Sequence, residues 1–237
     1  MKKWIALGFA IIAAVLLILL PNKPKKQYFH HQGTIFGTYY NIRYEGEADW
    51  HEAIKQRLHD LDNSLSMFNA QSVISRVNRN EAVVVDTLFA AMYDEAYAVS
   101  RLSGGAFDIT VAPLVNAWGF GTRGRAEGEA IQVDVDSIKT FVGYEKIRMD
   151  GGRLEKTDER IVLDASAIAK GYACDLVAGL LREKGCENLL VDIGGEVVLQ
   201  GVNDKGSAWR VGIARPKVDA NGAEEELQEV IASSNLC

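Results

Sequence analysis

Cysteine and histidine are both scarce in this chain, and neither is arranged for chemistry. The three cysteines, Cys174, Cys186 and Cys237, form no CxxC pair and have no histidine at ligand spacing, which disfavours zinc. Cys174 falls inside an expected helix and Cys186 just past its end. Twelve helical residues would separate them by about 18 Å, well beyond disulfide reach, so both are expected as free or buried thiols. The four histidines, His30, His31, His51 and His59, lie in linker or helix-surface positions without a serine or cysteine elbow, so no hydrolase triad is visible. There is no GxGxxG after a first strand and no GxxxxGK[ST], which argues against the common dinucleotide and P-loop folds. Basic residues are outnumbered, 26 Lys and Arg against 32 Asp and Glu for a net charge of −6. No basic stripe forms, and nucleic acid is not expected as a partner.

What is present is ordinary globular material behind an unusual leader. At 48% hydrophobic and 24% charged over 237 residues, the chain has room for a sizeable core. Residues 1–21 differ: "MKK" precedes an unbroken apolar run from Trp4 to Leu20, followed by "PNKPKK". A helix of that run is roughly 25 Å long, slightly short of a ~30 Å hydrocarbon core. It reads as a signal anchor or signal peptide, with the anchor favoured because no small-x-small cleavage site adjoins the polar flank. Lysines on both sides leave the orientation open. Residues 22–32 read as a linker and 33–237 as the folded domain.

Within that domain, "GTIFGTYYNIRY" has strand character from Thr34 to Tyr44, broken by Gly33 and Gly37. Ile54, Leu58, Leu61, Leu65 and Phe68 fall on one helical face after a candidate N-cap, Asp49. A second helix spans about Asp86 to Leu102 and stops at Gly104–Gly105. The stretch "SGGAFDITVAPLVNAWGFG" (103–121) then mixes glycines and a proline with two phenylalanines and a tryptophan. It suits an awkward core corner or a wall for a flat ligand; a strand over Ala106–Thr110 and a turn over Pro113–Gly119 are expected. After a polar loop, "TRGRAEGEA", come a short capped helix and a strand in "VDVDSIKTFVGYEKIRMD". "RLEKTDERIVLD" reads as a hairpin turning at Thr157–Glu159, and Ser166–Lys184 is the strongest helix. The strands "NLLVDIGGEVVLQG", "AWRVGIARP" and "EVIASSNLC" complete an α+β pattern with a mainly antiparallel sheet.

Three features stand out as sites. The N-terminus of the long helix offers free N–H groups and a positive dipole end suited to phosphate or carboxylate. Asp164 is placed either to cap that helix or to bind a ligand. Lys170, beside Gly171, is a solvated face residue or a group that reaches a bound phosphate. The glycine pair of "VDIGGEVV" marks a turn or bulge between short strands, or the close approach of another group.

The blocks "GGAFDITVAPLVNAWGFG", "VLDASAIAKGYACDLV", "NLLVDIGGEV" and "WRVGIARP", in this order, resemble the ApbE family, the FAD:protein FMN transferases. "FGTYYNIRY" and "LSMFNAQSVISRVN" extend the likeness more weakly. The resemblance implies a T-fold-like α+β domain at the periplasmic face of the inner membrane. It also implies cleavage of FAD with Mg2+ and attachment of FMN, through its phosphate, to a threonine of a target protein, commonly a subunit of a redox pump. By position it implies that Ala117, Trp118 and Gly119 line the flavin nucleotide and that Asp164 and Lys170 bind FAD. It further implies that Ala167 offers its backbone carbonyl to the metal. Phe36 stands where the family usually has methionine and Phe68 where it usually has tyrosine, so both keep an apolar contact and Phe68 lacks the hydroxyl. No catalytic side chain is assigned. Members continue past "VIASSN" into Ser-Gly-Tyr and His-Ile-Asp-Pro segments and an Asp and Thr that complete the metal site. The sequence is therefore read as C-terminally truncated and itself inactive in transfer. The alternatives are an FAD-binding module, an FAD pyrophosphatase that releases FMN and AMP, and a ligand-free membrane-anchored domain.

Overall fold

The computed structural model describes residues 25–121, 133–215 and 227–236. The expected N-terminal hydrophobic helix and the "TRGRAEGEA" loop lie outside them. Among the described residues, no helix is long and apolar enough to cross a membrane.

The first strand region is two strands. β1 (Gln27–Ile35) begins within residues 22–32 and folds back on β2 (Thr38–Gly46) in antiparallel register. The two-residue turn is Phe36–Gly37, with φ of 53° and 72°. Both values are positive, the geometry that matches strand twist in a tight hairpin, though a bulky side chain at positive φ is strained. Gly33 does not break β1: a Cβ there would stand 2.5 Å from the Tyr40 ring, so glycine makes room for a cross-strand aromatic.

β2 pairs with β5 (Leu189–Ile193), β5 with β6 (Glu196–Gln200), and β6 with the short β9 (Asn235–Leu236), all antiparallel, giving the order β1-β2-β5-β6-β9. Alternation along β5 sends Leu189, Val191 and Ile193 into the main core and Leu190 to the other face, where it meets Leu199 and Trp209. β7 (Trp209–Ala214) and β8 (Leu227–Ser233) form a separate ribbon.

The helical layer covers the main-core face. α1 (His51–Leu65) buries Ile54, Leu58, Leu61 and Leu65 as its spacing predicts. Asp49 serves its start one residue outside the N-cap position by accepting the His51 N–H at 2.9 Å. Phe68 lies past the end of α1 and is 66% exposed, so it does not belong to that core face. α2 (Val73–Asn78) is capped by Ser72, and α3 (Thr87–Leu102) by Asp86, which accepts the Phe89 N–H at 2.8 Å. α3 ends where expected, at Gly104 and Gly105 with φ of 61° and 84°.

The stretch 106–111 is not a strand apart from a single parallel bridge between Val111 and Val162. Side chains wire it instead: Asp108 accepts from Thr110 N and Oγ1 and, through its other oxygen, from Tyr144 N, while Thr110 Oγ1 accepts from Gly143 N. The expected Pro113–Gly119 turn is largely a short helix, α4 (Ala112–Ala117), with proline in its first turn where no N–H is needed. α5 (Val135–Lys139) is the capped helix, with Asp134 accepting from Ser137 N.

β3 (Ile147–Asp150) and β4 (Arg153–Lys156) form a hairpin through Gly151–Gly152, both at positive φ. The turn therefore precedes "RLEK" rather than falling at Thr157–Glu159. The helix α6 (Ala169–Glu183) starts three residues later than expected and buries Ala173, Val177 and Leu181. Cys174 and Cys186 are free and buried, as the spacing requires.

Candidate active site

A cavity of about 240 Å³ opens where three remote segments meet. The hairpin tip supplies Phe36 and Thr38. The end of α1 and the loop after it supply Leu65, Ser66, Met67 and Phe68. The entry to α6 supplies Ala165, Ser166, Ala169 and Lys170. The tip and the loop touch directly: a Cβ on Gly37 would meet the Phe68 ring at 3.9 Å.

Local hydrogen bonding explains why Phe68 projects. Ser66 is 3% exposed, and its carbonyl accepts the Ser72 hydroxyl at 2.7 Å. Asn69 donates to both Asp62 and Asn63, at 3.0 and 3.1 Å. The loop is thus tied at both ends, and its apolar tip is left facing outward.

The segment into α6 is held from two sides. Asn78 donates to the Leu163 carbonyl at 2.9 Å and accepts the Leu163 N–H at 2.8 Å. One residue on, Asp164 N donates to the Ile109 carbonyl at 2.7 Å. The Asp164 carboxylate accepts the Ser166 N–H at 2.8 Å, closing a turn ahead of the helix. It does not cap α6 itself, whose N-cap position is Ile168 with no side-chain cap. Since Ala169 and Lys170 open a helix of 15 residues and line the cavity, the positive end of its dipole faces that space.

Lys170 lies 2.8 Å from Glu196 Oε1, with the two side chains 31% and 42% exposed. An ion pair this open is worth about 1 kcal/mol or less, and it leaves ammonium donors for an anionic ligand. Near it, burial pushes the Cys174 thiol up to about 12, which makes it a poor nucleophile. Burial also raises the Asp192 carboxyl, opposed by the Gly195 N–H and reinforced by the charge of Glu196. The Gly194–Gly195 pair is a turn joining β5 to β6, and it also makes a close approach: a Cβ on Gly194 would lie 2.8 Å from Thr38 Cγ2.

Of the residues expected at a site, Phe36, Phe68 and Lys170 line the cavity together. Ala167 is exposed in the turn between lining residues Ser166 and Ala169, and Asp164 organises that turn. Ala117, Trp118 and Gly119 end α4, with Trp118 46% exposed and Gly119 at φ 80°, and they are not among the lining residues. The Val111–Val162 bridge lays the start of their helix beside the segment that leads to Asp164. Sequence reasoning missed Thr38, Asn78 and Glu196, which act through partners far away in the chain, and Ser66, whose partners are local.

Among the described residues, no group of three or more His, Cys, Asp or Glu side chains is placed to hold an ion. Ala167 offers one carbonyl toward the six oxygens that Mg2+ requires.

Sequence comparison decides the family. A model of the ApbE family matches residues 36–236. The chain belongs to the ApbE family. Among ApbE relatives, the FAD:protein FMN transferase of Vibrio cholerae is 34% identical over 237 residues, covering 96% of this chain and 70% of that protein. The enzyme of the same name from Haemophilus influenzae is 31% identical, covering 100% of this chain and 71% of its own length. The solved structure of flavin transferase ApbE from Vibrio cholerae superposes with a TM-score of 0.76 at 33% identity, covering 89% of this chain and 70% of that one. The agreement of ApbE structures with this mixed, mainly antiparallel architecture bears out the α+β reading.

Proposed function

We propose that this protein is an FAD:protein FMN transferase. The observation that carries the reading is the cavity between hairpin tip, α1–α2 loop and α6, which sets Lys170 and a helix N-terminus against an apolar wall of Phe36 and Phe68 in a chain of the ApbE family. A flavin nucleotide has the matching halves, a flat ring system and a charged pyrophosphate.

In the reaction, a threonine hydroxyl of the target attacks the FMN phosphorus of FAD. A Thr Oγ–P bond forms, the P–O bond to AMP breaks, AMP leaves, and the threonine proton passes to solvent. Phosphoryl transfer of this kind depends mainly on positioning and charge neutralisation. Lys170 and the first N–H groups of α6 supply positive charge, while Phe36 and Phe68 supply apolar surface and exclude water. A magnesium ion would supply charge neutralisation at the phosphates; of this chain's residues the Ala167 carbonyl would be one ligand, and further oxygen ligands would be needed. The acceptor is proposed to be a subunit of a redox pump. The apolar run from Trp4 to Leu20 between lysines supports attachment to the inner membrane, with the domain facing the periplasm.

The test is to incubate a chain extended to its relatives' length with FAD, Mg2+ and a threonine-bearing target peptide, and to follow flavin fluorescence and peptide mass. FAD binding and a mass increase equal to FMN less one water on the threonine support the reading. Release of FMN and AMP regardless of target would assign a pyrophosphatase instead. Binding without turnover in a chain extended to its relatives' length would assign a flavin-binding module.

A further inference from the structure

Assigning the cavity to FAD leaves one carboxylate unexplained. Glu196 Oε1 holds the Lys170 ammonium at 2.8 Å, yet its Oε2 is buried and has no hydrogen-bond partner. An unsatisfied buried oxygen disfavours the folded state, so stability alone gives no reason for a carboxylate at this position. The surroundings also restrict the lysine stem. Cys174, one helical turn beyond Lys170, donates its S–H to the Glu196 main-chain carbonyl at 3.1 Å, fixing the start of β6 against α6. The backbone at Gly194 comes so close that a Cβ would lie 3.2 Å from Lys170 Cδ. Stem and head of the lysine are both confined, and the ammonium has three donors, of which Glu196 engages one.

We propose that Glu196 is a positioning residue. Its carboxylate holds Lys170 at the cavity wall, so that the pyrophosphate of FAD meets a cation already in place. Without that carboxylate the long side chain must be ordered by the ligand, at a cost to affinity. Repulsion between Glu196 and the phosphates acts the other way, so the direction of the affinity change is decisive. The inference rests on the cavity being the FAD site.

The experiment titrates FAD, read by flavin fluorescence, into the full chain and its Glu196→Ala, Glu196→Gln, Lys170→Ala and Glu196→Ala/Lys170→Ala variants, with thermal unfolding alongside. The Cys174 bond uses the Glu196 main chain and survives each substitution. Glu196→Ala is expected to raise Kd about three- to tenfold with an unchanged or higher Tm. Glu196→Gln, which still accepts a hydrogen bond from the ammonium, should recover most of that loss. The double variant should bind no more weakly than Lys170→Ala alone, because Glu196 acts only through Lys170. Glu196→Ala binding as tightly as the parent or tighter, or losses that add in the double variant, would overturn the proposal while leaving the FAD site standing. FAD binding untouched by Lys170→Ala would remove the site assignment and the proposal with it.

Discussion

Asn78 and Leu163, 85 residues apart, are joined by a reciprocal pair of hydrogen bonds in which one amide side chain serves both the N–H and the C=O of a strand-like backbone, at 2.8 and 2.9 Å. The asparagine takes the place of a missing neighbouring strand and so fixes the height at which residues 163–168 approach the cavity. Asn78→Ala leaves both groups of Leu163 unpaired and is expected to cost about 2–3 kcal/mol in urea unfolding. Asn78→Asp keeps the acceptor, loses the donor, and should fall between.

The Gly194–Gly195 turn separates two effects that glycine substitutions usually mix. Both residues have positive φ, 58° and 92°, but only Gly194 is crowded, by Thr38 and Lys170. Gly195→Ala should cost about 1–2 kcal/mol from backbone conformation alone. Gly194→Ala adds a collision and should cost about 2–4 kcal/mol. Equal losses of stability for the two variants would show that the packing of Thr38 on Gly194 is unimportant.

Phe68 offers a test of the apolar wall that folding does not confuse. At 66% exposure, its truncation to alanine should leave unfolding within about 0.5 kcal/mol of the parent. FAD affinity should nevertheless drop about three- to tenfold, the range of an aromatic contact. Phe68→Tyr is expected to retain affinity. An alanine variant that binds FAD normally would take Phe68 out of the site.

The junction of β1, β2 and α1 predicts acid sensitivity. His31 stacks on His51 at 4.0 Å and lies 3.0 Å from Asp49, which also accepts the Tyr44 hydroxyl at 3.2 Å. Burial, then the charge of His51, lowers the His31 pKa from its ordinary 6.5, against the pull of Asp49. The folded chain therefore holds this proton less tightly than the unfolded chain. Full stability is present above 6.5, falls as pH drops through the lowered folded value, and then levels. Asp49 acts in a lower window: against a burial effect that raises it, the His51 N–H and the His31 charge bring it below 3.8. Its contribution is present above that value and lost beneath it. Unfolding free energy measured in urea between about pH 7 and pH 3 should decline in two steps, and His31→Gln should remove the upper one and shrink the lower one, because His31 also helps to lower Asp49.

How far the sequence could be read depended on the range of the interactions. Periodic apolar positions in α1, α3 and α6 and the capping aspartates Asp86 and Asp134 are local signals, and they located the helices. Glycine was harder, because the same residue marks a turn at Gly37, a hairpin at Gly151–Gly152, and space for Tyr40 at Gly33. Ala106–Thr110 carries strand-like residues, yet Asp108 and Thr110 bind the backbone at Gly143 and Tyr144 in place of a ladder. Lys170 was visible from its place near a helix start. Glu196 was not, since it becomes meaningful only when the β5–β6 hairpin sets it beside that lysine.

The walls of the cavity come from around residues 36, 66 and 168, and no two of them are neighbours in the chain. They converge only once β2 has found β5 and α6 has closed over the sheet, pairings that span some 150 residues. Contacts of such long range form slowly, so the cavity depends on the slow part of folding. A ligand that needs all three walls accordingly has nothing to recognise in a half-folded chain, and its binding draws only finished molecules out of the folding equilibrium.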